Sequence, residues 1–126
     1  MSKQNLYLGK FGEESAIDLL KTNGYRILAR NYKTKLGEID IIARDKDTVC
    51  FIEVKTRHSD RFGLPQEAIS RPKQRHIAKV ALMFLKENNL LDKRARFDVI
   101  SIMHSEDTSK LDLIKNAFEL DQSFTY

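Results

Sequence analysis

The sequence is poor in the residues that mark several classes of protein, with one cysteine, two prolines, five glycines and no tryptophan. The single Cys50 cannot form an intramolecular disulfide or a cysteine-based metal site. The low proline and glycine content excludes collagen-like and low-complexity chains. No apolar run approaches the ~20 residues that span a bilayer, and residues 1–5 lack the apolar stretch of a signal peptide. We therefore expect a cytoplasmic protein that does not associate with membranes.

The length of 126 residues suits one globular domain, residues 1–126. A chain of this size buries enough surface to form a core without disulfide or metal support. Its charge is unevenly distributed, although the net charge is only +4. Five bases and no acid lie in residues 19–37, and seven bases against two acids lie in residues 55–79. A basic region attracts polyanions, but a solvated surface of varying sign explains the same charges unless a reactive site lies within it.

Hydrophobic periodicity predicts a helix, three strands, a second helix and one or two further strands. Helical spacing places the first helix at about residues 8–23 and the second from Ser70, with Pro72 in its first turn. Alternation and turn residues predict strands at residues 25–32, 38–43, 49–55, 97–103 and 111–114, and a loop at residues 58–65. This order predicts an α/β fold in which helices flank a mixed sheet.

Two of these strands form a predicted hairpin that carries acidic side chains. A two-residue loop at positions 46–47 places Asp40 opposite Glu53 and Glu38 opposite Lys55. Opposed residues in a ladder have Cβ atoms about 4.5–5.5 Å apart. This register therefore brings two carboxylates and an ammonium group together on one face of the hairpin.

Opposed carboxylates destabilise a sheet unless they are hydrated, protonated, paired or bound to a metal. A hard divalent cation, Mg²⁺ or Mn²⁺, would relieve the repulsion between Asp40 and Glu53. Lys55 would then orient a water molecule or stabilise charge on a phosphate. The alternative is an ordinary exposed sheet face. Strict alternation puts Ile42, but not Ile39, on the acidic face, and such an apolar neighbour favours a partly covered cleft.

A third acid precedes the apolar face of the first helix. Glu13 lies three, four and seven residues before Ala16, Ile17 and Leu20, so it shares their inward face and can point toward the hairpin. The alternative is that Glu13 is simply favoured by the helix dipole near the first turn.

The runs GEIDIIA at residues 37–43 and FIEVKTR at residues 51–57 resemble the YraN family of small bacterial proteins. That family is similar to the endonucleases of the PD-(D/E)XK superfamily. Ile39 stands where the superfamily name has proline, a residue that is frequently missing there. The resemblance covers nearly the whole chain, with further matches in the same order at residues 9–16, 24–31, 62–63, 67–68, 96–100 and 116–118.

The resemblance implies a restriction-endonuclease-like α-β-β-β-α-β core that contains a metal site. It implies that Asp40 and Glu53 hold Mg²⁺ or Mn²⁺, that Lys55 is catalytic, and that Glu13 is an accessory acid and metal ligand, as in archaeal Holliday-junction resolvases. The implied reaction is phosphodiester hydrolysis in DNA, with branched or damaged DNA as candidate substrates. Because junction-cutting relatives act as dimers, the resemblance also suggests a homodimer.

Basic residues near the hairpin and the second helix are candidates for binding a nucleic-acid backbone. They are Arg57, Arg61, Arg71, Lys73, Arg75, Lys33 and Lys35. Two other functions stay open from sequence alone. A non-cleaving nucleic-acid-binding module of a DNA-processing complex would show salt-sensitive binding without cleavage, and a protein-interaction domain would show neither.

Overall fold

The computed structural model describes residues 3–58, 69–105 and 108–119, with side chains from residue 12 onward. Two helices and five strands follow one another along the chain. They are α1 (Lys3–Thr22), β1 (Arg26–Thr34), β2 (Gly37–Asp45), β3 (Thr48–Arg57), α2 (Arg71–Glu87), β4 (Arg94–Ser105) and β5 (Thr108–Ile114). In the described part of the chain, neither helix is long and apolar enough to cross a membrane.

The strands form one mixed sheet in the order β1-β2-β3-β4-β5. The pairs β1–β2, β2–β3 and β4–β5 are antiparallel, whereas β3 and β4 run parallel. A parallel pair needs a crossover, which α2 provides between β3 and β4. The predicted α/β class and the α-β-β-β-α-β order are therefore confirmed, with β5 added at one edge.

The two helices cover opposite faces of the sheet and bury two hydrophobic clusters. Under α2, Ile77, Val80 and Phe84 pack in a cluster that includes Phe51 and Val99. On the other face, the apolar side of α1 packs in a cluster with side chains of β2, β3 and β4. The members of that cluster are Ala16, Ile17, Leu20, Tyr25, Ile41, Ala43, Cys50, Ile52, Ile100 and Ile102.

Most predicted element limits lie within a few residues of the observed ones. The first helix is followed by Gly24 with φ of 85°, as expected for a residue that ends a helix. Helix α2 begins at Arg71 after the N-cap Ser70. The strands extend further than predicted, because pairing continues into flanking polar residues. Of the loop predicted at residues 58–65, only His58 lies among the described residues.

The predicted hairpin register is correct near the turn and wrong beyond it. Ile42 pairs with Phe51 as expected, but the β2–β3 ladder ends at the Ile41–Ile52 pair. Asp40 and Glu53 are therefore not ladder partners, and neither are Glu38 and Lys55. The strict alternation along β2 is also wrong, since Ile39 and Ile42 pack in the same cluster under α2. The alternation of side chains between the two faces of the sheet is therefore interrupted at Asp40, between Ile39 and Ile41.

Candidate active site

The site forms where the sheet divides between β2 and β3. Beyond the Ile41–Ile52 pair, β2 stays paired with β1 and β3 stays paired with β4. At this point the Asp40 side chain replaces the ladder, because its Oδ2 accepts a hydrogen bond of 2.8 Å from the Val54 backbone N–H. The bond satisfies a backbone donor that the ladder no longer pairs. It also fixes the Asp40 carboxylate in the gap between the two strands.

Helix α1 approaches this gap closely because it has a glycine at the crossing point. A Cβ atom built on Gly12 would lie 3.0 Å from Ile102 Cδ1 and 3.6 Å from Thr56 Oγ1. Glycine inside a helix costs about 1 kcal/mol relative to alanine. Its presence here allows close packing of α1 on β3 and β4, and it brings the next residue, Glu13, to the gap.

Glu13 faces the hairpin, as its spacing in the helix predicted. Together with Asp40, Val54 and Thr56 it lines a pocket of about 150 Å³. Its Oε1 accepts a 2.7 Å hydrogen bond from Asn31 Nδ2. Arg30 Nη2 lies 3.5 Å from the same oxygen and 2.6 Å from Glu14 Oε1. The Glu13 carboxylate is therefore already held by β1.

The carboxyl group of Glu53 is almost fully removed from solvent, with 5% of its side chain exposed. Within the described residues its Oε1 has no hydrogen-bond partner, and its Oε2 lies 3.7 Å from Lys73 Nζ. Burial, followed by the neighbouring Asp40 carboxylate, raises the pKa of Glu53 from 4.5 to about 8, while Lys73 and Lys55 oppose that rise. Two carboxyl groups in this arrangement require a proton or a cation to relieve their repulsion.

Asp40 lies near each of the other two predicted acids, but the three do not form a ready three-ligand set. In the described part of the chain, no three His, Cys, Asp or Glu side chains are placed to hold one ion. Glu13 is turned toward Asn31 and Arg30, whereas Asp40 and Glu53 face each other. The structure therefore brings together two of the predicted metal ligands, Asp40 and Glu53, and places Glu13 beside Asp40 in a pocket that is also lined by Val54 and Thr56.

The sequence of the chain matches the model of the uncharacterised protein family UPF0102 over residues 12–102. The chain belongs to this family. A UPF0102 protein of Syntrophus aciditrophicus is 50% identical over 117 residues, which cover 93% of this chain and 92% of that protein. UPF0102 proteins of Geobacter metallireducens and Caldicellulosiruptor saccharolyticus are each 49% identical, covering 95% and 88% of this chain and 98% and 96% of theirs. The YraN resemblance of the sequence is thereby confirmed.

The chain is also similar to a solved structure, the crystal structure of SSO0001. The two chains share 20% sequence identity with a TM-score of 0.43, over 93% of this chain. This chain spans about half of that one, 55% of its length.

Lysines of β3 and α2 lie next to the carboxyl pair in this UPF0102 protein. Burial and the neighbouring Lys73 lower the pKa of Lys55, while Glu53 and Asp40 act in the opposite direction. Burial opposes the charge of Lys73, but the carboxyl groups of Glu53 and Asp40 raise its pKa. Asp40, Glu53, Lys55 and Lys73 thus form one charged cluster beside the N-terminal turn of α2.

The other predicted nucleic-acid-binding residues that the structure describes differ in exposure. Arg71 and Arg75 are exposed on α2, and Lys33 and Lys35 are exposed near the β1–β2 turn. That turn lies against α2, since a Cβ on Gly37 would be 3.7 Å from Val80 Cγ2 and 4.0 Å from His76 Cβ. The β1–β2 turn and helix α2, which both carry exposed bases, therefore lie on adjacent parts of the protein surface. Arg57 is half-buried at the end of β3, and Arg61 lies outside the described residues.

Sequence reasoning missed the residues that hold Glu13. Asn31 has φ of 49°, a left-handed conformation within β1, and lies between the Arg30–Ile41 and Tyr32–Ile39 pairs. This conformation accompanies the hydrogen bond from its amide to Glu13. Asparagine is one of the few residue types that adopt positive φ readily, which is the only local signal in the sequence.

Proposed function

We propose that this protein is a metal-dependent nuclease that hydrolyses phosphodiester bonds in DNA. In this proposal, Asp40 and Glu53 hold Mg²⁺ or Mn²⁺, Lys55 acts on the attacking water or the phosphate, and Glu13 assists from α1. Branched or damaged DNA is the candidate substrate, and the active form is a homodimer.

The observation that carries the proposal is the buried carboxyl group of Glu53 beside Asp40. Only 5% of the Glu53 side chain is exposed to solvent, yet one of its oxygens has no hydrogen-bond partner within the described residues. Natural proteins pair or hydrogen-bond nearly all buried polar atoms. An oxygen left in this state next to a second carboxylate favours a ligand that brings positive charge.

The donor chemistry fits a hard divalent cation. Carboxylate oxygens are the ligands that Mg²⁺ and Mn²⁺ prefer, and such ions retain several waters and bind phosphate oxygens at their remaining positions. When bound, the ion polarises the phosphodiester and makes a bound water more acidic. The hydrogen bond from Val54 N–H holds the Asp40 carboxylate in the gap, so this ligand is oriented before binding.

In this proposal, Lys55 supports the reaction from β3 and Glu13 supports it from α1. Lys55 extends from β3 two residues after Glu53 and is half-buried, so its ammonium reaches the reacting phosphate while partly shielded from water. Glu13, beside Asp40 in the pocket, accepts hydrogen bonds and can take one from a water molecule. Exposed bases on α2 and near the β1–β2 turn bind the nucleic-acid backbone.

A cleavage assay tests the proposal. Purified protein is incubated with single-stranded, duplex and four-way-junction DNA, in Mg²⁺, in Mn²⁺ and in chelator. We expect metal-dependent cutting, and we expect Asp40→Asn and Lys55→Ala to lower its rate about 10²–10⁴-fold. Glu38→Gln and Lys46→Ala are matched controls, because these exposed side chains lie on the same hairpin but outside the site.

Cutting that survives both site substitutions would exclude this mechanism. Salt-sensitive DNA binding with no cutting under any metal would favour the non-cleaving binding module instead. Light scattering during gel filtration measures the proposed homodimer directly.

A further inference from the structure

Lys73 stands at a position of α2 where helix physics disfavours a cation. It is in the first turn after the N-cap Ser70, whose side chain accepts a hydrogen bond from the Lys73 backbone N–H. That turn contains no acidic residue. Anionic side chains stabilise a helix N-terminus and cations destabilise it, and glutamate or glutamine is usual at this position of a capping box. Lys73 is therefore placed for a reason outside its own helix.

The partner of Lys73 is the carboxyl group at the centre of the site. Its Nζ lies 3.7 Å from Glu53 Oε2, while 43% of the lysine side chain stays exposed. This distance is beyond that of a good hydrogen bond, so the pair is held by charge rather than by directed bonding. Such a contact neutralises Glu53 but can separate at low cost, because the lysine has solvent on its other side.

A second ammonium group lies beside the first. Lys55 and Lys73 influence each other electrostatically, and both act on Glu53. Two cations beside one buried carboxylate repel each other. A divalent cation on Glu53 would add to that repulsion, and Lys73, whose side chain is 43% exposed, has solvent into which it can move.

We propose that Lys73 is a stand-in cation: it neutralises Glu53 in the metal-free protein and, when a divalent cation binds, is released to contact a nucleic-acid phosphate. This inference rests on the proposed function. It makes Lys73 a positioning residue rather than a catalytic one, since it acts by holding the Glu53 carboxyl group in place. Arg71 and Arg75, both exposed on α2 nearby, form the surface that the released ammonium joins.

The exchange has a thermodynamic consequence. Lys73 competes with the metal for Glu53, so removing its charge strengthens metal binding. Metal binding frees Lys73 for phosphate, so the metal and the nucleic acid strengthen each other's binding. This coupling between metal binding and nucleic-acid binding is reciprocal by thermodynamic linkage. Replacing Lys73 by an uncharged residue should remove most of it.

The first measurement is Mn²⁺ binding in the absence of nucleic acid. The electron paramagnetic resonance signal of the free ion reports how much Mn²⁺ is unbound. Lys73→Met keeps the length of the side chain and removes the charge, and we expect it to bind Mn²⁺ about fivefold more tightly than the native protein. Lys73→Arg keeps the charge and should bind Mn²⁺ as the native protein does. Lys79→Met, an exposed position on the same helix, is the matched control and should also be unchanged.

DNA binding is the second measurement, with a labelled DNA oligonucleotide and Ca²⁺ in place of Mg²⁺ to avoid cleavage. The native protein should bind the oligonucleotide more tightly when Ca²⁺ is added, and Lys73→Met should lose most of that gain. Lys73→Gln repeats both measurements with a polar side chain, and thermal unfolding by circular dichroism confirms that each variant is folded.

The outcomes separate this inference from the function on which it rests. If Glu53→Gln abolishes Mn²⁺ binding but Lys73→Met binds Mn²⁺ like the native protein or more weakly, the stand-in role is wrong and the metal site stands. If the native protein binds no Mn²⁺, or binds it equally well with Glu53→Gln, the metal site itself is wrong and the stand-in role fails with it.

Discussion

Two carboxyl groups are buried on neighbouring strands of the same sheet, and the protein treats them in opposite ways. Asp98 on β4 is fully buried, and Glu53 on β3 is 4% exposed. Asp98 is surrounded by donors. Glu53 faces another carboxylate and a loosely held lysine. The difference indicates that Asp98 serves the fold, whereas in the proposed function Glu53 binds a ligand.

Asp98 has every feature of a structural ion pair. Arg96 donates to both of its oxygens, at 2.9 Å and 3.0 Å, and the Asn116 backbone N–H donates to Oδ1 at 2.8 Å. Arg96 also donates to Tyr25 Oη at 2.8 Å and to Asp45 Oδ2 at 3.1 Å. The aspartates raise the pKa of Arg96 and ensure its charge. This network ties the helix-to-sheet junction to β4 and to the segment after β5.

Glu53 has none of this support among the described residues. One oxygen has no partner, the nearest cation is 3.7 Å away, and burial together with the neighbouring acid raises its pKa to about 8. The same chain provides hydrogen-bond donors to both oxygens of Asp98, but it provides none to Glu53 Oε1 among the described residues. In the proposed function, a cation supplies the positive charge that these donors do not.

The largest effect is expected from breaking the satisfied pair. Asp98→Asn leaves the Arg96 guanidinium without its bidentate partner, and removing one member of a buried ion pair costs about 3–5 kcal/mol. We expect urea denaturation to show a loss near the lower end of this range, because Asp45 still accepts from Arg96. A loss below about 1 kcal/mol would contradict a structural role for Asp98.

The same isosteric change at Glu53 should act in the opposite direction. The folded-state pKa of about 8 is above the ordinary 4.5, so the contribution of Glu53 to stability is largest below pH 4.5 and is lost as the pH rises through 8. In chelator at pH 8.5, Glu53→Gln should raise the free energy of unfolding by about 2 kcal/mol, since the amide can donate to Asp40. Urea denaturation at pH 5.5 and 8.5 measures this change.

Glu38→Gln is the control, because that exposed acid faces Lys33 at 3.9 Å. Its stability should change by less than about 0.5 kcal/mol at either pH. Destabilisation by Glu53→Gln at pH 8.5 would mean that the Glu53 charge is well paired, and the contrast with Asp98 would fail.

A smaller effect is expected at Asn31, which holds the third acid. Asn31→Gly tolerates the φ of 49° and removes only the amide that donates to Glu13. We expect stability to change by less than about 1 kcal/mol and metal-dependent cleavage to fall about tenfold. Asn89→Gly, also at positive φ but distant in sequence at the end of α2, is the matched control. Equal cleavage by the two variants would remove Glu13 from the site.

Regular patterns in the sequence predicted the fold well. Alternation in residues 49–55 marked β3, and helical spacing of Ala16, Ile17 and Leu20 set the inward face of α1 and the direction of Glu13. These predictions succeeded because burial of apolar side chains on one face is a local property of the sequence.

The details of the site depended on departures from those patterns. The change of pleat that puts Ile39 and Ile42 in one cluster, and the left-handed Asn31 beside it, interrupt a simple alternation. The approach of Lys73 to Glu53 arises from the packing of α2 across the sheet. Neither feature follows from a local periodicity. The sequence therefore indicated candidate side chains for the site but not how these side chains are arranged.

Anomalous diffraction from crystals soaked in Mn²⁺ tests the central claim most directly. The account predicts an anomalous peak coordinated by the carboxylates of Asp40 and Glu53, with Lys73 moved away from Glu53. A saturated crystal with no peak at these two carboxylates, or with its peak only at other acids such as Asp45 or Asp92, would contradict it.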